Sequence, residues 1–186
     1  MRKITATLFM SLDGVVESPD KWHFPYFNDE MGAAIGAAVT ESDALMMGRV
    51  NYQKWAAYWP AQSSDDEFTD FMNNTPKFVV STTLNQAELT WNNSTLVTGD
   101  VEAEITKLKQ QPGKYIAISG SGTLIESLLH NGLLDELHLM IHPVVVGHGK
   151  RLFTDGVDQH ALKLVNSQIF STGVVYLIYQ TNPDEA

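Results

Sequence analysis

The chain has 186 residues, with 22 acidic against 12 basic side chains, a formal net charge of −10, no cysteine and 44% hydrophobic residues. That length is enough for one full core. The acidity argues against a general nucleic-acid binder, which needs a basic face, and is read first as solubility. It leaves room for an anionic ligand held locally by one arginine or a helix N-terminus.

Without cysteine there are no disulfides and no thiol chemistry, which fits a reducing cytoplasm. No apolar run approaches membrane length, so no membrane partner is expected. The opening MRKITATLFMSLDG reads as a strand running into an aspartate turn, not as a signal peptide.

In chain order, Ile4–Met10 is predicted to be a central strand, and Asp13-Gly14 turns out of it. Ser18–Phe27 (SPDKWHFPYF) is a loop with four aromatics and two prolines. It either folds onto the core or lines a pocket. Asn28 caps a helix whose apolar face is Met31, Ala34, Ile35, Ala38 and Val39. The small residues Gly32, Ala33, Gly36 and Ala37 on that helix predict close packing against a sheet.

Asp43–Met47 reads as a short buried strand ended by Gly48-Arg49. A helix carrying Tyr52, Trp55, Ala56 and Trp59 follows, before Pro60. Gln62–Glu67 reads as a polar surface loop and Phe68–Met72 as a helical turn, broken at Thr75-Pro76. Lys77–Ser81 and Thr95–Thr98 are strands, and Gly99-Asp100 leads into a helix with Ile105 and Leu108.

Next comes the most informative stretch. Tyr115–Ile118 is an apolar strand, Ser119-Gly120-Ser121-Gly122-Thr123 a small-residue turn, and Leu124–His130 an amphipathic helix stopped at Gly132. Asp135–His142 is a further strand, so the stretch is a βαβ unit. A turn without large side chains exposes backbone N–H groups, and the helix dipole favours negative charge there, which suits a phosphate. The turn lacks the third glycine of G-x-G-x-x-G, since Ile125 stands there, and Gly147-His148-Gly149-Lys150 lacks Walker spacing.

The last elements, Lys163–Ser171 and Val174–Thr181, form a hairpin across Thr172-Gly173. The fold class is therefore α/β: a three-layer αβα arrangement with a mostly parallel sheet and a C-terminal antiparallel hairpin. Residues 1–181 form one domain, and 182–186 read as a free tail.

Three turns follow the C-terminal ends of three expected parallel strands: Gly48-Arg49, Ser81-Thr82-Thr83 and Ser119–Thr123. Ligands on open α/β sheets bind outside such strand ends. An arginine fork with Ser and Thr hydroxyls matches a 2′-phosphate better than a bare ribose, so a phosphorylated dinucleotide is expected.

Taken in order, these residues resemble a known superfamily. Met47-Gly48-Arg49, Phe78-Val79-Val80-Ser81 and Ile118-Ser119-Gly120-Ser121-Gly122-Thr123 resemble the cofactor half of dihydrofolate reductase. Ser11-Leu12-Asp13-Gly14, Leu133-Leu134-Asp135-Glu136-Leu137 and Pro143-Val144-Val145-Val146-Gly147-His148-Gly149 resemble the pyrimidine reductase domain of riboflavin biosynthesis, which has the same fold.

The resemblance implies NADPH lying across the strand ends. Arg49, Ser81 and Thr82 would stand near the 2′-phosphate or the adenine-side phosphates, beside Gly48. Ser119, Gly120, Ser121, Gly122, Thr123 and Leu124 would hold the pyrophosphate. Thr7 on the first strand and Gly14 would lie against the nicotinamide. It further implies a small planar substrate facing Trp22, Phe24, Tyr26 and Phe27, with Asp13 as a catalytic acid, and pairing as a homodimer through the late strands. Each assignment has a plainer alternative: aspartate before glycine is also a turn former, and aromatics also anchor loops to a core.

The chain departs from both relatives. Phe27 stands where dihydrofolate reductases carry a carboxylate after Trp-x-x-Pro, and Ser119 where the riboflavin relatives place an acid. After Asp13 the next arginine is Arg49, so the arginine-rich substrate signature is missing. The expected function is an NADPH-dependent reductase of a small heterocyclic or conjugated molecule. The alternatives are one of the two named reductases proper, or a nucleotide-binding protein without turnover.

No metal site is expected. His138 and His142 are four apart in a strand, which separates them by roughly 13 Å, beyond the span of one zinc ion.

Overall fold

In the computed structural model, which describes residues 1–62, 67–156 and 158–181, eight strands form one sheet. They are β1 (Ile4–Ser11), β2 (Ser42–Gly48), β3 (Lys77–Val80), β4 (Ser94–Val97), β5 (Tyr115–Ser119), β6 (Glu136–His142), β7 (Lys163–Ile169) and β8 (Val175–Gln180). The spatial order is β4-β3-β2-β5-β1-β6-β8-β7. The first six of that order run parallel, β8 runs antiparallel to β6, and β7 antiparallel to β8. The expected fold class is what the chain adopts. Part of the expected 62–67 loop, residues 63–66, and the tail at 182–186 lie outside the described residues.

Alternation along the strands decides which helix covers which face. On β2, Ala44 and Met46 point to one core, with Ile105 of α4 (Val101–Gln110) and Leu124, Ile125 and Leu128 of α5 (Gly122–His130). Leu45 and Met47 point to the other face, with Tyr52 of α2 (Arg49–Tyr58) and Met72 of α3 (Glu67–Asn74). Helix α1 (Asp29–Glu41) covers that second face further along, packing Met31 against Met140, Phe170 and Tyr176.

Asn28 caps α1 as expected, its Oδ1 accepting from the Met31 amide at 3.0 Å. The expected close seam is absent. Ala33, Gly36 and Ala37 are exposed, and a Cβ added to Gly36 would meet nothing within 4 Å. These small residues lie on the helix's outer side, away from the sheet.

Two polar groups inside the sheet are fully engaged. His138 Nε2 meets Glu136 at 3.1 Å, and its Nδ1 meets the Tyr176 hydroxyl at 3.0 Å. The Nε2–H donates to the carboxylate, so Nδ1 accepts from the phenol. The Lys77 ammonium, wholly buried, donates to the carbonyls of Asn73, Thr75 and Asn92 at 3.1, 2.7 and 3.1 Å, and lies 4.4 Å from the centre of the Trp91 ring. Burial pushes its pKa down to about 8, while the three carbonyls favour the charge, so it stays protonated at neutral pH. Lys77 thus pins the end of α3 and residue 92 to the start of β3. Lys77→Met leaves three part-buried carbonyls without their donor and should cost about 1–3 kcal/mol in urea unfolding, with an unchanged m-value.

Candidate functional site

Because β3, β2, β5, β1 and β6 are neighbours and parallel, their C-terminal ends line one edge of the sheet. The chain leaves β1 for α1 on one face, and leaves β5 for α5 on the other. The two exits diverge and open a crevice between the ends of β5 and β1, the usual ligand position on such sheets. Thr7 on β1 lies directly opposite Ser119 on β5, beside this crevice.

The β5–α5 turn is shorter than expected: Ser119 ends the strand and Gly122 already begins the helix. Ser121 caps it in the left-handed region, at φ 60° and ψ 60°, with no side-chain bond to the helix. Its Oγ instead accepts the Gly48 amide at 3.1 Å, tying the ends of β2 and β5 together. Gly120, at φ +75°, has no room for a side chain, since a Cβ there would lie 2.3 Å from Asn51 Nδ2. Asn51 donates to the Ser119 carbonyl at 3.0 Å and locks the turn from above.

Within α5, the amides of Leu124 and Ile125 both bond the Ser121 carbonyl, at 2.9 and 3.0 Å. Leu124 is therefore packed and its amide is spent. Gly122 and Thr123 precede that first bond, and their amides have no intrahelical partner. A Cβ on Gly122 would meet nothing within 4 Å, so the helix N-terminus faces open space. The turn suits an anionic group, with two free amides at the positive end of a nine-residue helix.

On the next strand end, Arg49 opens α2. It is exposed, and its guanidinium makes one side-chain bond, to Gln53 at 3.3 Å. Ser81 is buried and its Oγ accepts from the amides of Thr83 and Leu84, both at 3.1 Å. That oxygen shapes the turn, whereas Thr82 and Thr83 are exposed beside it. The edge therefore offers Arg49, Thr82, Gly48 and the α5 amides together, without a carboxylate among them.

Asp13 differs from its expected role. Its carboxylate accepts from the Ser11 hydroxyl at 2.7 Å and from the amides of Val146 and Gly147 at 3.0 and 2.9 Å. Arg151 Nε donates to its carbonyl at 2.9 Å, beside Gly14. The Ser11 hydroxyl, then the two amides, hold its pKa down to about 2. An acid so held is an anion at neutral pH and a poor proton donor. In this arrangement it clamps the 143–147 segment to the turn after β1.

The aromatic segment divides in two. Trp22 and Tyr26 turn inward, with ring centres 5.2 and 5.7 Å from His142 at the end of β6. Phe24 and Phe27 are 64% and 50% exposed, at the rim. The sequence reading missed His23, Asn51 and Arg151, and considered His142 only as a metal ligand. Their contacts cross long chain separations, which no local spacing announces. His138 and His142 stand on β6 as the strand reading required.

Fold and site geometry define the class: an open α/β sheet of the dihydrofolate reductase type, with an anion-friendly crevice at its strand ends. Residues 2–176 match the RibD C-terminal domain family, and the chain belongs to it. It is 33% identical over 185 residues to the uncharacterized protein YyaP of Bacillus subtilis (strain 168), covering 97% of this chain and 96% of that one. A putative riboflavin biosynthesis protein from Shewanella sp. PV-4 superposes with a TM-score of 0.77 at 20% identity, covering 97% and 98% of the two chains. Dihydrofolate reductase from Enterococcus faecalis, complexed with NADP(H), superposes with a TM-score of 0.65 at 14% identity over 97% and 96%. Family and neighbours together support a reductase-like function. No helix among the described residues is long and apolar enough to cross a membrane.

The clamp has a measurable signature. The Asp13 carboxyl should titrate near 2 in a carbon-detected NMR titration, against an ordinary value of 3.8. Its contribution to stability is present above 3.8 and lost as pH falls through about 2. A midpoint near 3.8 would mean that the clamp does not form in solution.

Proposed function

We propose that the chain is an NADPH-dependent reductase of a small planar heterocyclic or conjugated molecule. The observation that carries this reading is the set of Arg49, Thr82 and the free Gly122 and Thr123 amides on adjacent parallel strand ends, beside an aromatic-walled mouth. The residues present fit the cofactor. Open space stands before the α5 N-terminus, and an exposed arginine fork, held among the described residues only by Gln53 at 3.3 Å, lies one strand away. In this reading Gly122 and Thr123 hold the pyrophosphate, and Arg49 with Thr82 reads the 2′-phosphate. Thr7 and Gly14 flank the nicotinamide, and the bound cofactor supplies the hydride chemistry.

The rest falls to the chain's own groups. Trp22, Tyr26, Phe24 and Phe27 form an apolar wall that orients a flat substrate and limits water. Asp13, held as an anion, fixes the loops at the mouth and gives up no proton. The proton that accompanies the hydride therefore comes from solvent. A cysteine-free chain using a reduced nicotinamide is placed in the cytoplasm.

NADPH oxidation measured against pterins, pyrimidines and quinones tests this directly. Turnover on at least one supports the reading, while tight NADPH binding with none would favour a nucleotide-binding protein. Arg49→Ala should weaken NADPH by about 1.5–3 kcal/mol, roughly 10- to 150-fold, because a charge-assisted contact is lost. NADH should change little; equal losses by titration calorimetry would sink the 2′-phosphate assignment.

A homodimer is the second part of the proposal, and β7 favours it. Every residue of this edge strand is exposed, including Leu164, Val165 and Ile169 at 49%, 50% and 75%. Such an edge invites pairing with another strand. Among the late strands expected to pair, β6 and β8 turn Leu137, Leu139 and Tyr176 into the core, which leaves β7 as the available edge. Sedimentation should give a dimer that Ile169→Lys shifts toward monomer; a monomer at all concentrations removes the proposal.

A further inference from the structure

We propose that His142 and His23 form a proton-operated latch, which holds the aromatic segment 18–27 closed against the ends of β1 and β6 while both rings are neutral and releases it as they protonate. This inference stands independently of the reductase reading.

The segment is attached to the sheet mainly through rings. The backbone amides of Lys21, Trp22, His23, Tyr26 and Phe27 all bond carbonyls within the segment itself, at Ser18, Pro19, His23 and Phe24. The Trp22 indole donates to the Glu17 carbonyl at 3.2 Å, again locally. Tyr26 reaches the Pro143 carbonyl only at 3.5 Å, the long limit of a hydrogen bond. What remains is chiefly a cluster of aromatic and imidazole rings, with Tyr26 packed besides on the Met31 and Met140 cluster. His23 stacks on Phe9 of β1 at 4.6 Å, and His142 meets the edges of Phe9, Trp22, His23 and Tyr26 at 5.6, 5.2, 6.1 and 5.7 Å.

At the centre of this cluster are two unpartnered nitrogens. His142 is fully buried and His23 is 7% exposed. His142 Nδ1 lies 2.8 Å from the Met140 carbonyl, which only accepts, so Nδ1 carries the hydrogen and Nε2 a bare lone pair. That Nε2 and His23 Nδ1 are buried without any hydrogen-bond partner. A proton arriving at either site would place a charge inside a box of aromatic rings, where only the charge of Asp20, acting on His23, favours it among the carboxylates.

The groups facing the pair support the sign. Burial lowers the pKa of His142, against the carbonyls of Met140 and Met10, which favour the charged ring. Burial, then the charge of His142, lowers that of His23, against Asp20 on the same segment. From β1, Phe9 packs on both rings, the Met10 carbonyl favours the charged His142, and Ser11 pairs with His142 in the sheet. Glu30 at the start of α1 is engaged by Ser171 and Asn28. Among the described residues neither ring has an ion pair. Both rings therefore hold a proton less readily closed than free, and opening binds protons below the ordinary value of 6.5. The opening constant rises by up to about tenfold per pH unit for each histidine in that window.

Hydrogen exchange by NMR on the full chain between pH 7.5 and 5, corrected for intrinsic rates, tests this. The amides of His23, Tyr26 and Phe27 should lose protection as pH falls, in step with the titration of the two imidazoles, while Ile116 and Leu139 in the core keep theirs. His142→Phe fills the same space without a titrating nitrogen and should remove most of the pH dependence. His23→Phe should do the same in part and serves as the reporter if the first variant does not fold. Unchanged protection across the range, a pH dependence that survives in both variants, or simultaneous loss in the core would each overturn the latch.

Discussion

Six neighbouring strands run in one direction, and the rest of the molecule depends on that. Parallel strands need helical crossovers, so every loop that follows a strand falls on the same edge. Residues as distant in the chain as Ser11, Gly48, Ser81, Ser119 and His142 become neighbours for this reason alone. The alternation on each strand supports the arrangement energetically. Ala44 and Met46 bury against α4 and α5 while Leu45 and Met47 bury against α2 and α3, so both faces lose water together. At roughly 25 cal/mol per Å² of apolar surface removed from water, this two-sided burial outweighs any single polar contact at the edge. The edge can therefore carry strained and unpaired groups without loss of the fold.

Electrostatically, that edge is divided. At the β5 end the charge preference comes from the backbone: the α5 N-terminus presents amides to open space, and Arg49 adds a mobile cation one strand away. At the β1 end, amides and a hydroxyl already surround a carboxylate, that of Asp13, and Arg151 touches its carbonyl. An external anion thus finds donors at β5 and α5, while the donors at β1 are filled from within. On the reading proposed above, this asymmetry would orient a long ligand with its phosphates toward β5 and its uncharged ring toward β1, where Thr7 and Phe9 lie.

The sequence made most of the fold readable, because period-two strands, the Asn28 cap and the glycine stops are local signals. The turns at the strand ends were also legible, since each is a short run of small or hydroxyl residues directly after a strand. Local reading fails where a contact crosses the sheet. Nothing near Asp13 announces the amides of Val146 and Gly147, 133 and 134 positions away. The hydrogen bond from Asn51 to the Ser119 carbonyl spans 68 positions, and with the left-handed φ of +75° it favours glycine at position 120. For α1 the composition misled, because small residues suit an exposed helix side as well as a tight seam.

The histidines show what tertiary placement adds to residue type. On one strand, two residues of the same kind meet opposite treatment. His138 has both nitrogens bonded, to Glu136 and Tyr176, whereas His142 four positions on has one bonded and one bare. Buried polar atoms in folded proteins are nearly always paired, because each unpaired one costs about 1–3 kcal/mol. A core that satisfies the ammonium of Lys77 three times over can pair such groups where stability alone is at stake. Two unpaired nitrogens on rings in edge contact, at the end of β6 and under a segment whose backbone bonds stay largely inside it, mark a place where the fold tolerates a cost. That cost falls on the closed arrangement and is relieved when the segment lifts, so the wall of the mouth is held less tightly than the sheet beneath it.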